Sequence, residues 1–133
     1  MATVGRLVVA VLLGFLAAAP GAVAQDRVIR ATVSKVVDGD SLELSGITRQ
    51  IRLWGLDAPE WDEKGGPRAT RYLEELAFGR RLSCTIRDID KYDRFIARCE
   101  LTGGPDIAAD MIAAGVAEEY CYFSGNYYGT CAR

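Results

Sequence analysis

From Val28 to Leu56 the chain reads VIRATVSKVVDGDSLELSGITRQIRLWGL. Val28 to Val37 is dense in β-branched residues and alternates well enough to predict a strand. Asp38-Gly39-Asp40 is a turn by composition, Ser41 to Leu44 a second short strand, and Ser45-Gly46 another turn. A third strand is predicted from Arg49 to Leu56. Short strands joined by tight turns make the opening of a mostly β domain.

On the C-terminal side, Asp57 to Gly66 is a polar loop closed by Gly65-Gly66-Pro67. Pro67 suits the first turn of a helix, and Ala69, Tyr72, Leu73, Leu76 and Ala77 recur at helical spacing up to a stop at Gly79. Tyr72 and Trp54 read as core or core-edge residues and not as base-stacking platforms. Leu82, Cys84 and Ile86 alternate as a fourth strand, and Arg94 to Leu101 forms a fifth across the hairpin loop Asp88 to Asp93. Asp106 can cap a second helix that carries Ile107, Met111 and Ala114 on one face and ends at Gly115. Tyr120 to Arg133 is an aromatic, irregular tail. The order is three strands, a helix, two strands and a helix. It matches a five-stranded OB-fold, a Greek-key barrel of α+β composition with a helix between strands three and four and another after strand five.

On the N-terminal side, Arg6 precedes Leu7 to Ala19, a run without a polar side chain, and Ala22-Val23-Ala24 has the small-x-small form of a cleavage site. A helix that spans a bilayer needs about 20 apolar residues, and this run is shorter. The reading is a signal peptide over residues 1–24 and one domain over 25–133, exported to the periplasm or beyond and free of the membrane after cleavage. A monomer is expected.

There are 16 basic and 18 acidic side chains and no histidine in the 133 residues, for a net charge of −2. A protein that holds nucleic acid by its overall field alone is strongly basic, so phosphate binding here would rest on a few placed arginines. The absence of histidine removes Ser-His-Asp and Cys-His nucleophiles, His-ligated zinc and every histidine base. A hydrolase built from this sequence has carboxylates, arginines, tyrosine or a hard metal ion to work with.

Three clusters carry candidate chemistry: Val37-Asp38-Gly39-Asp40-Ser41, Ile51 to Glu60 (IRLWGLDAPE), and Asp90-Lys91-Tyr92-Asp93-Arg94. Taken singly, the first and third are ordinary turns. In the second, Arg52 alternates with Trp54 and Leu56, which puts its charge on a partly buried face in need of an anionic partner.

Together and in order, the clusters resemble the staphylococcal nuclease family. Its Asp-Gly-Asp-Thr/Ser, Arg-Leu-x-x-Val/Leu-Asp-x-Pro-Glu and Asp-Lys-Tyr-Gly/Asp-Arg patterns all occur, and Glu63 to Ala69 (EKGGPRA) is similar to the family's entry into its first helix. The similarity runs from about Val36 to Gly115. It implies a calcium ion held by the carboxylates of Asp40 and Asp57 and the backbone carbonyl of Ala58, with Asp38 and Ser41 behind them. It also implies Glu60 as general base, Arg52 and Arg94 on the phosphate, and Lys91 and Tyr92 as substrate contacts. The implied substrate is DNA or RNA, cut to leave 3′-phosphate ends. Two departures stand out: the loop from Glu60 to Gly66 is shorter than is usual in the family, and the short tail is expected to lack its C-terminal helix. Tyr120 and Tyr122 align loosely with the family's base-stacking tyrosines, and packing over an open barrel end accounts for them equally well.

The alternatives are a nucleic-acid-binding barrel without catalysis and a small disulfide-stapled interaction protein. A pure binder has no use for carboxylates beside a phosphate, which they repel. The interaction protein leaves the three clusters unexplained.

Cys84, Cys99, Cys121 and Cys131 are even in number, as two disulfides require in an exported chain, and none are paired at Cys-x-x-Cys spacing. A hairpin centred between Lys91 and Tyr92 sets Cys84 opposite Cys99 and Ile86 opposite Ala97, both on the apolar face. This register predicts Cys84–Cys99 and, by default, Cys121–Cys131.

Overall fold

The structure is a computed structural model that describes Gly21 and residues 26–132. The expected leader over residues 1–24 lies outside the described residues, apart from Gly21. Among those described, no helix is long and apolar enough to cross a membrane.

Five strands close a barrel in the order β1-β2-β3-β6-β5, where β1 is Val28–Val36, β2 Ser41–Leu44, β3 Ile51–Leu53, β5 Arg81–Ile89 and β6 Phe95–Leu101. β1 pairs antiparallel with both β2 and β5, and the ring is completed by a parallel pairing of β3 with β6. This is the expected OB-fold architecture. Alternation places Val33, Leu42, Leu44, Ile51, Leu53, Leu82, Cys84, Ala97 and Cys99 inside, all nearly inaccessible.

Helix α1, Gly66–Ala77, lays Ala69, Leu73 and Ala77 against that core, one per turn, and ends at Gly79 with φ of 73°. Helix α2, Ile107–Ala113, is capped by Asp106, whose carboxylate accepts a 3.1 Å hydrogen bond from the Ala109 amide. Ile107 and Met111 are its fully buried contacts.

The third strand is where the structure departs from the sequence reading. It stops at Leu53, turns through Trp54 and Gly55 (φ 71°), and resumes as β4, Leu56–Asp57. The turn breaks the alternation, so Leu56 is fully buried instead of sharing a face with Arg52. β4 then leaves the barrel to pair with β7, Glu118–Glu119, a strand with no sequence signal. The tail adds a single turn of helix, α3, at Cys121–Ser124.

The β5–β6 hairpin has the predicted register, Cys84 opposite Cys99 and Ile86 opposite Ala97, and then shifts by one residue between Ile86 and Asp88. Both predicted disulfides are present, Cys84–Cys99 across that hairpin and Cys121–Cys131 around the tail.

Candidate active site

The turn between β1 and β2 approaches its surroundings so closely that only glycine fits its centre. A Cβ on Gly39 would lie 2.7 Å from the Cβ atoms of both Ala58 and Ala69. This contact presses the Asp38-Gly39-Asp40 turn against the start of the Ala58-Pro59-Glu60 loop and against α1. Asp40 is buried as a result. Its Oδ2 accepts from the Ala58 amide at 3.2 Å and lies 3.3 Å from the Arg52 guanidinium, and its Oδ1 accepts from the Ser41 hydroxyl at 3.2 Å. Asp38 fixes the turn by accepting from the Asp40 amide at 3.1 Å. Burial pushes the Asp40 carboxyl up to about 6; the Arg52 charge pulls against that shift and the Asp38 charge adds to it.

Arg52 leaves β3 on the face opposite Ile51 and Leu53. Besides Asp40, it donates to the carbonyls of Leu53 at 2.9 Å and Leu56 at 2.8 Å, so the Gly55 turn grips the guanidinium. Arg94 is gripped in the same way by the hairpin. Asp90 accepts from the Tyr92 and Arg94 amides at 2.9 and 3.0 Å, and its other oxygen takes Arg94 Nε at 2.7 Å. Burial would raise the Asp90 carboxyl, but these bonds outweigh it and hold the group below the usual carboxylate range. Arg94 also donates to the Ser41 hydroxyl at 3.4 Å. Ser41 thus joins Arg94 to Asp40, and Asp40 joins both to Arg52. Asp90 opens the third motif but carries no role in the sequence reading. The signal for it is an Asp at the first position of a hairpin loop, four residues before an arginine.

Asp57 and Glu60 are exposed. Asp57, Ala58, Glu60 and Glu63 line a cleft of about 420 Å³ closed by Val116 to Glu118. Glu60 also lines an open cleft of about 730 Å³ with Tyr92 and Arg94, and Arg94 in turn lines a third, of about 660 Å³, with Arg52, Lys91 and Tyr92. The backbone at Glu60 is tied down: its amide donates to Glu63 Oε2 at 3.2 Å and its carbonyl accepts from the Glu63 amide at 2.9 Å. The Glu60 carboxylate takes part in no hydrogen bond among the described residues, so it is free to act. The candidate residues therefore gather on one side of the barrel, in and behind three contiguous clefts.

Two carboxylates and a backbone carbonyl make a hard-oxygen set of the kind calcium takes. The buried Asp40 charge, which Arg52 offsets only in part, is what a divalent cation would stabilise, and the residues present fit that group. A second grouping, Glu119 with Cys121 and Cys131, does not fit a metal because both sulfurs are in the disulfide.

Glu119 is a feature the sequence did not disclose. This buried carboxylate accepts from the Ser124 hydroxyl at 2.6 Å, the Tyr128 amide at 2.9 Å, and the Thr130 amide and hydroxyl at 2.9 and 2.7 Å. It folds the tail around itself. Tyr120 and Phe123 of that tail line the Arg52–Arg94 cleft, whereas Tyr122 does not and is 85% exposed.

The family model described as Staphylococcal nuclease homologue matches residues 50–130. That span takes in Arg52, Asp57, Ala58, Glu60, Lys91, Tyr92 and Arg94, and begins after Asp40. Among curated proteins, a micrococcal nuclease of Shigella flexneri is 31% identical over 71% of this chain and 60% of its own length. Proteins called probable endonuclease LCL3 are similar too. The one from Meyerozyma guilliermondii is 37% identical over 55% of this chain and 36% of its own length. The one from Candida dubliniensis is 37% identical over 59% and 37%. The chain thus spans less than two thirds of the length of these relatives.

Proposed function

The chain belongs to the staphylococcal nuclease homologue family, and on that premise we propose that it is an exported, calcium-dependent nuclease that hydrolyses phosphodiester bonds of DNA or RNA. The observation that carries the reading is the convergence on Asp40: a carboxylate from the first cluster contacts Arg52 and the Ala58 amide of the second and, through Ser41, Arg94 of the third.

In this reading Arg52 and Arg94 hold the scissile phosphate. Each guanidinium is preoriented by fixed acceptors, so charge gathering on the phosphoryl oxygens in the transition state is met without reorganisation. Glu60, whose carboxylate has no hydrogen bond among the described residues, takes a proton from the attacking water as its oxygen bonds to phosphorus. The P–O5′ bond breaks, solvent protonates the leaving oxygen, and a 3′-phosphate remains. Carboxylates are weak bases at neutral pH, so most of the acceleration comes from positioning and electrostatics. Asp40, Asp57 and the Ala58 carbonyl would hold calcium, which supplies Lewis-acid polarisation of the phosphate. Lys91 and Tyr92 line the same clefts and contact substrate.

Two disulfides and the hydrophobic leader support export. Digestion of DNA and RNA by the purified protein, with calcium and then with excess chelator, tests the function. Cleavage that survives chelation removes the metal from the reading, and no cleavage with calcium removes the activity.

A further inference from the structure

The Arg52–Arg94 cleft extends past both arginines to a third. The β5–β6 register shift leaves Arg87 between the Ile86–Ala97 and Asp88–Ile96 pairs without a partner of its own. A bulge of this kind re-aims the side chain it carries. Here it sets the guanidinium 4.6 Å over the indole of Trp54, in the cleft that Arg52, Lys91 and Arg94 also line.

Trp54 is held as a platform by the tail. Tyr127 meets it edge-on at 5.3 Å and Tyr128 lies tilted at 6.2 Å, and Tyr128 is anchored by its amide to Glu119 and by its hydroxyl to Asp106. Arg52 and Arg94 each face a carboxylate, but Arg87 is exposed and makes no ion pair among the described residues. The nearby Asp88 carboxylate accepts from the adjacent Ile89 amide at 2.8 Å. A stacked, preoriented and uncompensated cation in the cleft of an acidic protein is complementary to an anion.

We propose that Arg87, stacked on Trp54, binds a second phosphate of a polynucleotide, one flanking the phosphate at Arg52 and Arg94. This rests on the nuclease reading and adds to it a binding contact that a chain of nucleotides reaches and a single nucleotide does not. Arg87 and Trp54 act in binding the chain and not in the chemical step.

The test compares the full mature protein with Arg87→Ala and Arg87→Lys. In chelator, the affinity for a fluorescein-labelled single-stranded DNA of about 12 nucleotides is measured against salt, alongside affinity for a nucleoside monophosphate, which has one phosphate only. With calcium, KM and kcat are measured on the same DNA. Arg87→Ala should bind the oligonucleotide about tenfold more weakly, since one charge-assisted contact is lost. The slope of log affinity against log salt should become shallower by about 0.7, the value for one phosphate on a single strand. KM should rise in step, kcat should move by less than about twofold, and mononucleotide affinity should hold. Arg87→Lys, which keeps the charge but not the planar stack, should fall between. Equal affinity and slope for Arg87→Ala and the parent, or an equal loss for mononucleotide and oligonucleotide, overturns the inference and leaves the nuclease reading intact. A parent protein that neither binds nor cleaves DNA or RNA overturns both.

Discussion

Asp40 shows how much of the site depends on one residue's surroundings. It is buried, its charge is disfavoured there, and it is kept by Arg52, Ser41 and the Ala58 amide. The arginines beside it are fixed by fork-like contacts that lysine cannot reproduce. Arg52→Lys, Arg94→Lys and Glu60→Gln should each lower turnover by about 10²–10³ while the fold is kept, a result that steady-state kinetics and circular dichroism check together. Near-normal turnover in Glu60→Gln would refute its role as base. Glu119 works on stability instead. Burial alone would raise its pKa, but the bonds from Ser124, Tyr128 and Thr130 win and push it down from 4.5 to about 2. A depressed carboxylate stabilises the fold fully above its unfolded pKa, so this contribution is present above about pH 4.5 and is lost as pH falls towards 2. Glu119→Gln should flatten the acid limb of a stability–pH curve across that window, and should cost about 1–3 kcal/mol at neutral pH through the weakened bonds. At this scale the motif residues were legible because their order along the chain is distinctive. Glu119 was not, because its partners lie in an irregular tail whose path no periodicity encodes.

Elements bring those residues into register. Gly39 and Gly66 are the two close approaches that do so: a Cβ on Gly39 meets Ala58 and Ala69, and a Cβ on Gly66 would lie 1.9 Å from the Glu60 carbonyl oxygen. Gly66→Ala should therefore displace the Glu60 loop and lower kcat by more than about tenfold, even though alanine is the better helix former by about 1 kcal/mol in a helix interior. Unchanged kcat would show that the short loop does not set the Glu60 position. The strands and helices were readable from alternation, caps and turn residues, and the disulfide register followed from them. The break at Trp54-Gly55 was not readable, since a strand pattern with one glycine looks the same whether the chain runs on or turns out of the barrel. The Arg87 bulge was equally hidden, because a one-residue shift leaves no mark in composition.

Across the whole molecule, an acidic chain sets Arg52, Arg87 and Arg94 in one cleft that Tyr120 and Phe123 of a disulfide-tied tail also line. The Cys121–Cys131 link, spanning a sequence separation of 10, ties down the tail that brings Tyr127 and Tyr128 against Trp54. Replacing both cysteines with serine should cost about 2–3 kcal/mol in denaturant unfolding, with the barrel retained. A loss below about 0.5 kcal/mol would mean that Glu119 alone anchors the tail. The central claim, that clustered carboxylates and arginines become a nuclease when calcium is bound, is tested most directly by one assay. Labelled DNA and RNA are digested by the protein and by an identically prepared Glu60→Gln variant, each in calcium and in excess chelator. The account predicts rapid cleavage by the parent in calcium alone and at least about 10²-fold less in the other three reactions. Equal cleavage with and without chelator, or by the variant and the parent, would contradict it.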